Sequence, residues 1–464
     1  MTSFTLRALL PAVLLATGAC TVGPDYGRPQ LTTPPAWVAP RPHGGEDGKL
    51  IGWWGRFGDP VLTELQRKAE ENSPTLEQAV ARIDQARATL STNRAQGLPS
   101  VTGSGSYTTS GASGATTSSV KQYGADASWE IDLFGKVRRN TQAARSRVEA
   151  RIDDWHDARV SLAAEVADDY VRYRGCEQLV LLYREQAQSQ SETTRLNRIN
   201  ANAGFTAPAD YELAEASAAS VRSTLTDQIA QCDLLVKSLT SLTGLEEDTL
   251  REKLAPGSGV LPQPAELDVA SIPADLLRQR PDIASSEREL AAASAEIGAA
   301  TAELYPSLSL GGSITAGGVT QWSFGPSISL PLFDGGKARA AIRSAEGAYS
   351  LQLATYRGTV RAAVLEVEQA LVQLDAVRAR DADTARAAQG YQANFAAIER
   401  LRQAGSTTAI ERESARRNAL DAKRTLLDLR MTQIRYWIAL YKALGGGWEP
   451  TDEIPTQSST GAQH

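Results

Sequence analysis

The stretch DASWEIDLFGK, residues 126–136, decides the fold because two structural patterns meet in it. Apolar Ala127, Trp129 and Ile131 alternate with polar residues, and this period of two is typical of a strand with one apolar and one polar face. From Lys136 onward the sequence is rich in Ala and Arg, and no proline interrupts the next 67 residues. We therefore predict a short sheet that is joined directly to a very long helix.

Composition narrows the class of protein. The chain has 464 residues and a net charge of −6, and its 48 basic residues are interspersed with acidic ones. This distribution gives no basic patch for nucleic acid, so we expect no nucleic-acid partner. After the N-terminus no run of 18 apolar residues occurs, which excludes transmembrane helices. Aromatic residues make up only 6% of the chain, which favours long, closely packed helices over one thick core.

The N-terminus has the features of an export signal. Arg7 is followed by an apolar stretch over residues 8–15 and by the small residues Thr17, Gly18 and Ala19. We predict that residues 1–19 are a signal peptide and that Cys20 becomes the lipidated first residue of the mature chain. The alternative is an ordinary signal peptide cut at the same place, since Thr17 stands where lipoprotein signals usually carry Leu. Apart from this covalent lipid, no cofactor is expected.

An internal duplication organises the rest of the chain. The matching pairs are Pro74 with Pro281 and Pro99 with Pro306, each 207 residues apart, and Lys136 with Lys337, Gly204 with Gly405 and Gly244 with Gly445, each 201 residues apart. The constant second offset means that the helical parts of the two copies have equal length. Only the strand regions differ in length, which hairpin loops tolerate.

The duplication predicts the following organisation of the chain. It consists of a signal peptide (1–19), an extended arm (20–52), a first repeat (53–252), a linker (253–272), a second repeat (273–447) and a flexible tail (448–464). Each repeat holds one β-hairpin, at about 99–134 and about 306–333. Each repeat also holds one helical hairpin, whose tips are at about 203–210 and about 404–411.

Strand count and strand length predict how the sheet is used. Each strand has about ten residues, the length of a tilted strand in a membrane barrel. Four strands per chain cannot close a barrel, and every strand edge in a membrane must be paired. Two chains would give eight strands with a filled interior, whereas three give twelve strands and a lumen. We predict a trimeric 12-stranded β-barrel; the alternative is a soluble sheet whose apolar face packs on helices.

The long helices predict a second hollow structure. Residues 136–202 and 337–403 would each form a helix about 100 Å long. Val360, Val364, Val367, Leu371 and Leu374 follow coiled-coil spacing. Hairpins of such helices would project a rod about 100 Å from the sheet, and a membrane sheet with that rod would form a tunnel. A solid coiled coil is the alternative.

Several short motifs identify a family that the chain resembles. They are Val22-Gly23-Pro24-Asp25-Tyr26 with Arg28-Pro29, Trp53-Trp54 with Phe57 and Asp59, Ile131-Asp132-Leu133-Phe134-Gly135, Arg280-Pro281-Asp282-Ile283, and Leu330-Pro331-Leu332-Phe333-Asp334-Gly335-Gly336. The chain resembles the TolC-like outer-membrane factors, specifically the lipoprotein channels of resistance–nodulation–division (RND) efflux pumps. The resemblance implies a homotrimer in outer-membrane lipid, with its helical barrel in the periplasm. It also implies two partners, a periplasmic adaptor protein and an inner-membrane RND pump.

The sequence offers no catalytic site. His43, His156 and His464 are its three histidines, and none has a zinc-ligand partner at helical spacing. The resemblance implies a passive exit channel for small toxic compounds or drugs, and the lack of a catalytic motif agrees with the expectation that the chain is not an enzyme. The same architecture serves type I protein secretion, which is the alternative function. An exported helical enzyme and a coiled-coil adhesin or scaffold are the competing classes.

The tips of the helical hairpins carry the charges of a candidate gate. Asp210 and Glu411 lie 201 residues apart, at equivalent positions of the two copies. In the family that the chain resembles, an acidic residue at this place contributes to charged constrictions at the periplasmic mouth. Arg402 and Arg412 would hold the mouth shut by pairing with acidic residues of neighbouring hairpins. The alternatives are helix capping by the acids and solvated arginines.

Two cysteines remain besides Cys20. If the first helical hairpin folds about residue 205, Cys176 lies opposite residue 234 and therefore within one turn of Cys232. In an oxidising compartment this arrangement predicts a disulfide. Two buried free thiols are the alternative.

Overall fold

A computed structural model describes residues 21–30, 37–39, 46–47, 52–114, 116–264, 267–268 and 279–447. The predicted signal peptide, the lipidation site Cys20, the residues His43 and His464 and the tail over residues 448–464 lie outside these ranges.

Two very long helices dominate the structure. The helices are α1 (Pro60–Asn72), α2 (Pro74–Ala95), α3 (Lys136–Asn202), α4 (Pro208–Thr243), α5 (Glu247–Leu254), α6 (Pro281–Ala302), α7 (Lys337–Gln403) and α8 (Ala409–Ala443), with a 3-10 helix at Trp53–Phe57. The strands are β1 (Glu46–Asp47), β2 (Ser100–Ser110), β3 (Ser118–Ile131), β4 (Leu267–Asp268), β5 (Ser307–Ala316) and β6 (Gln321–Ser329). Helices α3 and α7 have 67 residues each, the equal length that the duplication predicts. Within the described residues, no helix has the length and apolar content that a membrane span requires.

The hairpins of the two repeats form one sheet. Its strand order is β2-β3-β5-β6, and all neighbouring strands are antiparallel. In this register Trp129 lies opposite Leu310, so the apolar residues of both repeats share one face. Trp322 is 78% exposed and Phe324 75%, so the helices among the described residues do not cover this face at these side chains. The alternative of a soluble sheet packed on helices is therefore wrong.

Each strand-to-helix junction depends on an aspartate and a glycine. The Asp132 carboxylate accepts hydrogen bonds from the backbone N–H groups of Val137 and Arg138, at 3.1 and 2.9 Å. Gly135, the N-cap of α3, has a φ of 83°, a conformation that side chains disfavour. The carboxylate thus supplies acceptors for backbone N–H groups that have no partner within the first helical turn. The quoted stretch therefore carries both the last strand of its hairpin and the N-terminal cap of the long helix.

In the second repeat the aspartate that caps the long helix stands at a different position in the motif. In the first repeat Asp132 precedes the Leu-Phe pair, whereas in the second Asp334 follows it. The Asp334 carboxylate accepts hydrogen bonds from the N–H groups of Gly336 and Ala338, both at 2.8 Å. These backbone donors, Ala338 first, lower the pKa of Asp334. Gly336 is the N-cap of α7 and has a φ of 90°.

The main core lies midway along the long helices, where the 3-10 helix and α1 pack against them. Trp53 is fully buried there and stacks on Tyr441, with ring centroids 4.6 Å apart. Val367 and Leu371, two of the residues at coiled-coil spacing, are fully buried in the same cluster. The predicted spacing thus marks the buried stripe of α7.

The helices form a layer with two open sides. Near the sheet the order of packing is α2, α3, α6, α7, and towards the tips it is α4, α3, α8, α7. The outer members of each set are not in substantial contact within the described residues, unlike in a closed bundle. This arrangement is that of a wall segment and not of a solid coiled coil.

Candidate functional site

The first helical tip joins α3 to α4 and exposes an aromatic ring. Phe205 is 81% exposed between the two helices. Asp210 lies in the first turn of α4, where its backbone N–H donates to the carbonyl of Ala207 at 3.0 Å. Within the described residues its carboxylate makes no ion pair, so its charge is available to another chain or to ions.

The second tip joins α7 to α8 and uses its acid as a cap. Glu411 N–H donates to Thr408 Oγ1 at 3.1 Å, and Thr408 N–H donates to the Glu411 carboxylate at 3.0 Å. The hydroxyl of Thr407 also donates to this carboxylate. These donors, Thr407 first, lower the pKa of Glu411. The two equivalent acids therefore differ, since Glu411 is held in a capping box and Asp210 is not.

The structure does not pair the predicted gate arginines with these acids inside one chain. Arg412 Nε donates to the Glu399 carboxylate at 2.6 Å, and Glu399 belongs to the same hairpin. Arg402 is partly exposed and makes no ion pair among the described residues. An arginine latch would therefore have to form between chains, or it would use the Arg412–Glu399 pair.

A buried acid that the sequence patterns do not reveal lies next to the gate residues. Glu413 is only 5% exposed and accepts hydrogen bonds from Ser189 and Thr193 of α3, both at 3.3 Å. One turn further, Arg416 pairs with Glu185 of α3 at 3.3 Å. The only signal in the sequence is a polar stripe of Ser189 and Thr193 at helical spacing. Near the tips, α8 is thus held to α3 by polar contacts.

The first hairpin is held by different contacts. Cys176 of α3 and Cys232 of α4 form a disulfide, with their Cα atoms 5.6 Å apart. Nearer the tip, Thr194 Oγ1 donates to the carbonyl of Ala214 at 3.0 Å. The α3–α4 hairpin is therefore closed by a covalent bond, whereas α8 of the second hairpin is attached to α3 through polar side chains.

At the opposite end the N-terminal arm is fixed to the junction of sheet and helices. Val22 N–H donates to the carbonyl of Phe134 at 3.2 Å. The buried guanidinium of Arg139 donates to the carbonyl of Val22 at 3.2 Å and to Asp25 at 2.9 Å. A Cβ on Gly135 would lie 2.8 Å from the Thr21 methyl group, so the close approach of the arm requires glycine there.

Other motif residues have structural roles. Asp59 caps α1 by accepting from Val61 and Leu62 N–H, and it also accepts from the Tyr170 hydroxyl at 2.6 Å. Arg280 donates to Asp282 and to Glu366, each at 2.8 Å. Among the described residues no group of three or more His, Cys, Asp or Glu side chains is suited to hold a metal ion.

Comparisons with known proteins agree with this architecture. The chain matches the outer membrane efflux protein family over residues 65–245 and 272–446. It is 30% identical to nodulation protein T of Rhizobium leguminosarum bv. trifolii, over 96% of this chain and 98% of that protein. It is also 30% identical to the toluene efflux pump outer membrane protein TtgC of Pseudomonas putida, over 99% of each chain. The solved outer-membrane channel OprN superposes with a TM-score of 0.82 at 30% identity, covering 93% of this chain and all of that one.

OprN is named as an outer-membrane channel and TtgC as the outer membrane protein of an efflux pump, and the match extends over both repeats, the sheet and the long helices. The chain therefore belongs to the outer membrane efflux protein family and is a channel protein of the outer membrane, with its helices in the periplasm.

Proposed function

We propose that three copies of this chain form the passive exit duct of a tripartite efflux pump. The observation that carries the proposal is the single four-stranded sheet, whose apolar face is uncovered and whose edges are β2 and β6. Unpaired strand edges are not tolerated in lipid. If β6 of each chain pairs with β2 of the next, three chains close a barrel of twelve strands.

The helical layer supports the same closure. Its outer helices are α2 and α4 on one side and α7 on the other. Strand β2 follows α2, and strand β6 leads into α7, so the open sides of sheet and helices coincide. One head-to-tail contact, repeated three times, would then close the barrel and the helical tunnel together.

The proposed path of transport follows from this closure. The apolar face of the barrel would contact lipid, and the polar face would line a lumen that continues between the helices. We place an adaptor protein and an inner-membrane RND pump at the tips, because TtgC is named as the outer-membrane protein of an efflux pump. We propose small toxic compounds as substrates, as the toluene named for that relative suggests.

We propose that the tips form the gate of this duct. Asp210 and Glu411 of three chains would place six carboxylates around the mouth, an arrangement that selects ions. Arg402 and Arg412 lie beside them and would supply the closing contacts. A capping role of Glu411 is compatible with this gating role, because a capping carboxylate keeps its negative charge.

We further propose lipidation of Cys20. Its neighbour Thr21 contacts Gly135, where the sheet meets α3, so an acyl chain on Cys20 would start at the periplasmic boundary of the barrel. Palmitate labelling of the full-length protein and of Cys20→Ser tests this. Labelling that persists in the variant would contradict it.

Cysteine crosslinking tests the trimer. Thr102 on β2 and Ser327 on β6 lie on the edge strands, so we expect scanned cysteine pairs around them to give covalent trimers. Cysteines at Ala127 and Gly312, which face each other on β3 and β5, provide the control and should link only within a chain. A monomer in detergent would contradict the proposal.

For transport, deletion of the gene should increase toluene sensitivity, and a complementing copy should restore resistance.

A further inference from the structure

The two faces of the membrane sheet differ in charge. The four strands contain three charged residues, Lys121, Asp126 and Glu130, all of them on β3. Asp126 lies opposite Thr102 and Ser313, on the face that bears serine, threonine and glycine. Glu130 lies on the same face, because it is four residues further along the strand.

The only basic residue lies on the other face. Lys121 is an odd number of residues from Asp126 and Glu130 along β3, so it points to the opposite face of the sheet. It lies opposite Tyr107 on β2, and its ammonium group is 6.0 Å from the centroid of that ring. It lies near the hairpin loop, where a long side chain can carry its charge to the membrane surface. The polar face of the strands therefore has two acids and no base.

The surroundings leave the Asp126 charge uncompensated. Its cross-strand neighbours Thr102 and Ser313 are neutral, and it makes no ion pair among the described residues. Glu130 differs, since it lines a cavity of about 380 Å³ at the junction with the helices, which Lys136 and Lys337 also line. Both lysines thus line the same cavity as Glu130, and Lys136 is paired there with Glu303 at 3.0 Å. Asp126 is thus the cleaner source of a negative potential.

We infer that the Asp126 carboxylates of three subunits form a ring in the barrel lumen that favours cations over anions, with Glu130 forming a weaker second ring. The inference rests on the proposed trimer and specifies its selectivity. It concerns the potential of the wall and not a coordinated ion. Rings of Asp or Glu are a known basis of cation selectivity in channels.

Dimensions support an effect on every permeating ion. Twelve strands about 4.8 Å apart and tilted by about 40° close into a barrel with a radius of about 12 Å. The Debye length is about 10 Å at 0.1 M salt and about 3 Å at 1 M. A carboxylate ring on the wall therefore acts at the axis in dilute salt and is screened in concentrated salt. The second ring lies about 13 Å further along the strand.

Reversal potentials in planar bilayers test the inference. Wild-type trimers should prefer K⁺ to Cl⁻ at 0.1 M KCl, and Asp126→Asn should lower the permeability ratio by at least about twofold. The difference should disappear at 1 M KCl. Lys121→Gln, on the opposite face of the same strand, is the matched control and should leave the ratio unchanged. If the K⁺/Cl⁻ permeability ratio is unchanged in Asp126→Asn, the inference is overturned, whereas the proposed function as an exit duct is not affected.

A second measurement does not depend on conduction through the tips. A cysteine at Thr102 should face the lumen beside Asp126, and a cysteine at Val101 should face lipid. We expect a cationic methanethiosulfonate reagent to label Thr102→Cys several times faster than an anionic one, and the preference should fall when Asp126→Asn is added. No reaction at Thr102→Cys, or equal rates with and without Asp126, overturns the inference. Failure to form trimers or channels at all would instead contradict the proposed function.

Discussion

Arg139 of helix α3 forms an ion pair with Asp25 of the N-terminal arm, at 2.9 Å, although the Asp25 side chain is 93% exposed. The guanidinium itself is buried and also donates to the carbonyl of Val22. An exposed ion pair contributes little, whereas hydrogen bonds from a buried charge contribute more. Arg139 therefore stabilises the docked arm mainly through its hydrogen bonds to the backbone of the arm.

This asymmetry predicts different effects for the two partners. Arg139→Ala should destabilise the docked arm by about 2 kcal/mol, because the carbonyl of Val22 loses its donor. Hydrogen exchange of the Val22 amide, which donates to Phe134, should then accelerate. Asp25→Asn is the control and should change the exchange rate only slightly. Equal effects of the two substitutions would contradict our interpretation.

The N-cap of the second long helix provides a backbone test. Gly336 has a φ of 90°, so Gly336→Ala should destabilise the protein by about 1–2 kcal/mol. Gly336→Asn should cost less, because asparagine tolerates positive φ better than alanine does. The midpoint of heat denaturation measures both. Equal midpoints for the alanine variant and the wild type would show that the junction relaxes.

The Arg412–Glu399 pair makes the gate hypothesis more specific. Arg402→Ala with Arg412→Ala should raise single-channel conductance if these arginines close the mouth. If the closing contact is the pair within the hairpin, Glu399→Gln should raise conductance as Arg412→Ala does. If the arginine instead contacts an acid of another chain, Glu399→Gln should leave conductance unchanged. Unchanged conductance in all three variants would remove these residues from the gate.

Loss of the disulfide should weaken the first hairpin. Cys176 and Cys232 are 56 residues apart in sequence, and crosslinks over loops of this length typically stabilise proteins by 2–4 kcal/mol. Cys232→Ser should therefore lower the denaturation midpoint, and adding Cys176→Ser should cause little further loss. Thiol labelling of the unfolded, unreduced wild-type protein should detect neither cysteine. Two reactive thiols would contradict the bridge.

Asp153 of α3 predicts a dependence of stability on pH. Burial, opposed by Arg288 and reinforced by Asp154, Glu149 and Glu287, raises the pKa of Asp153 to about 7. Between about pH 4 and pH 7 the folded chain therefore holds a proton that the unfolded chain has lost, and this group lowers stability as pH rises. Asp153→Asn should flatten that decline in heat-denaturation midpoints. Arg288→Gln should shift it to higher pH, and an identical pH profile for all three proteins would contradict the assignment.

Local patterns were sufficient to predict the large elements. The alternation around Trp129, the helices of 67 residues and the spacing of Val367 and Leu371 are properties of contiguous sequence. They depend on strand and helix periodicity, which a chain carries wherever it folds. The constant offset then related the two repeats without reference to any contact between them.

Contacts between distant residues needed the tertiary structure. The sequence motifs LFGK and LFDGGK look equivalent, yet Asp132 precedes one and Asp334 lies inside the other. Glu413 reads as a surface charge of α8 until packing places it against Ser189. Neither result follows from spacing, because each depends on where another segment of the chain lies.

The sequence by itself determined the kinds of elements, their lengths and their duplication, since periodicity and breakers act over a few neighbouring residues. Only the tertiary structure decided which strands of the two hairpins are neighbours and in what register they pair, and that Arg412 meets Glu399 and not the acids at the tips. The physical reason is that strand register and side-chain pairing are set by long-range packing, where a shift of one residue along a strand exchanges its two faces.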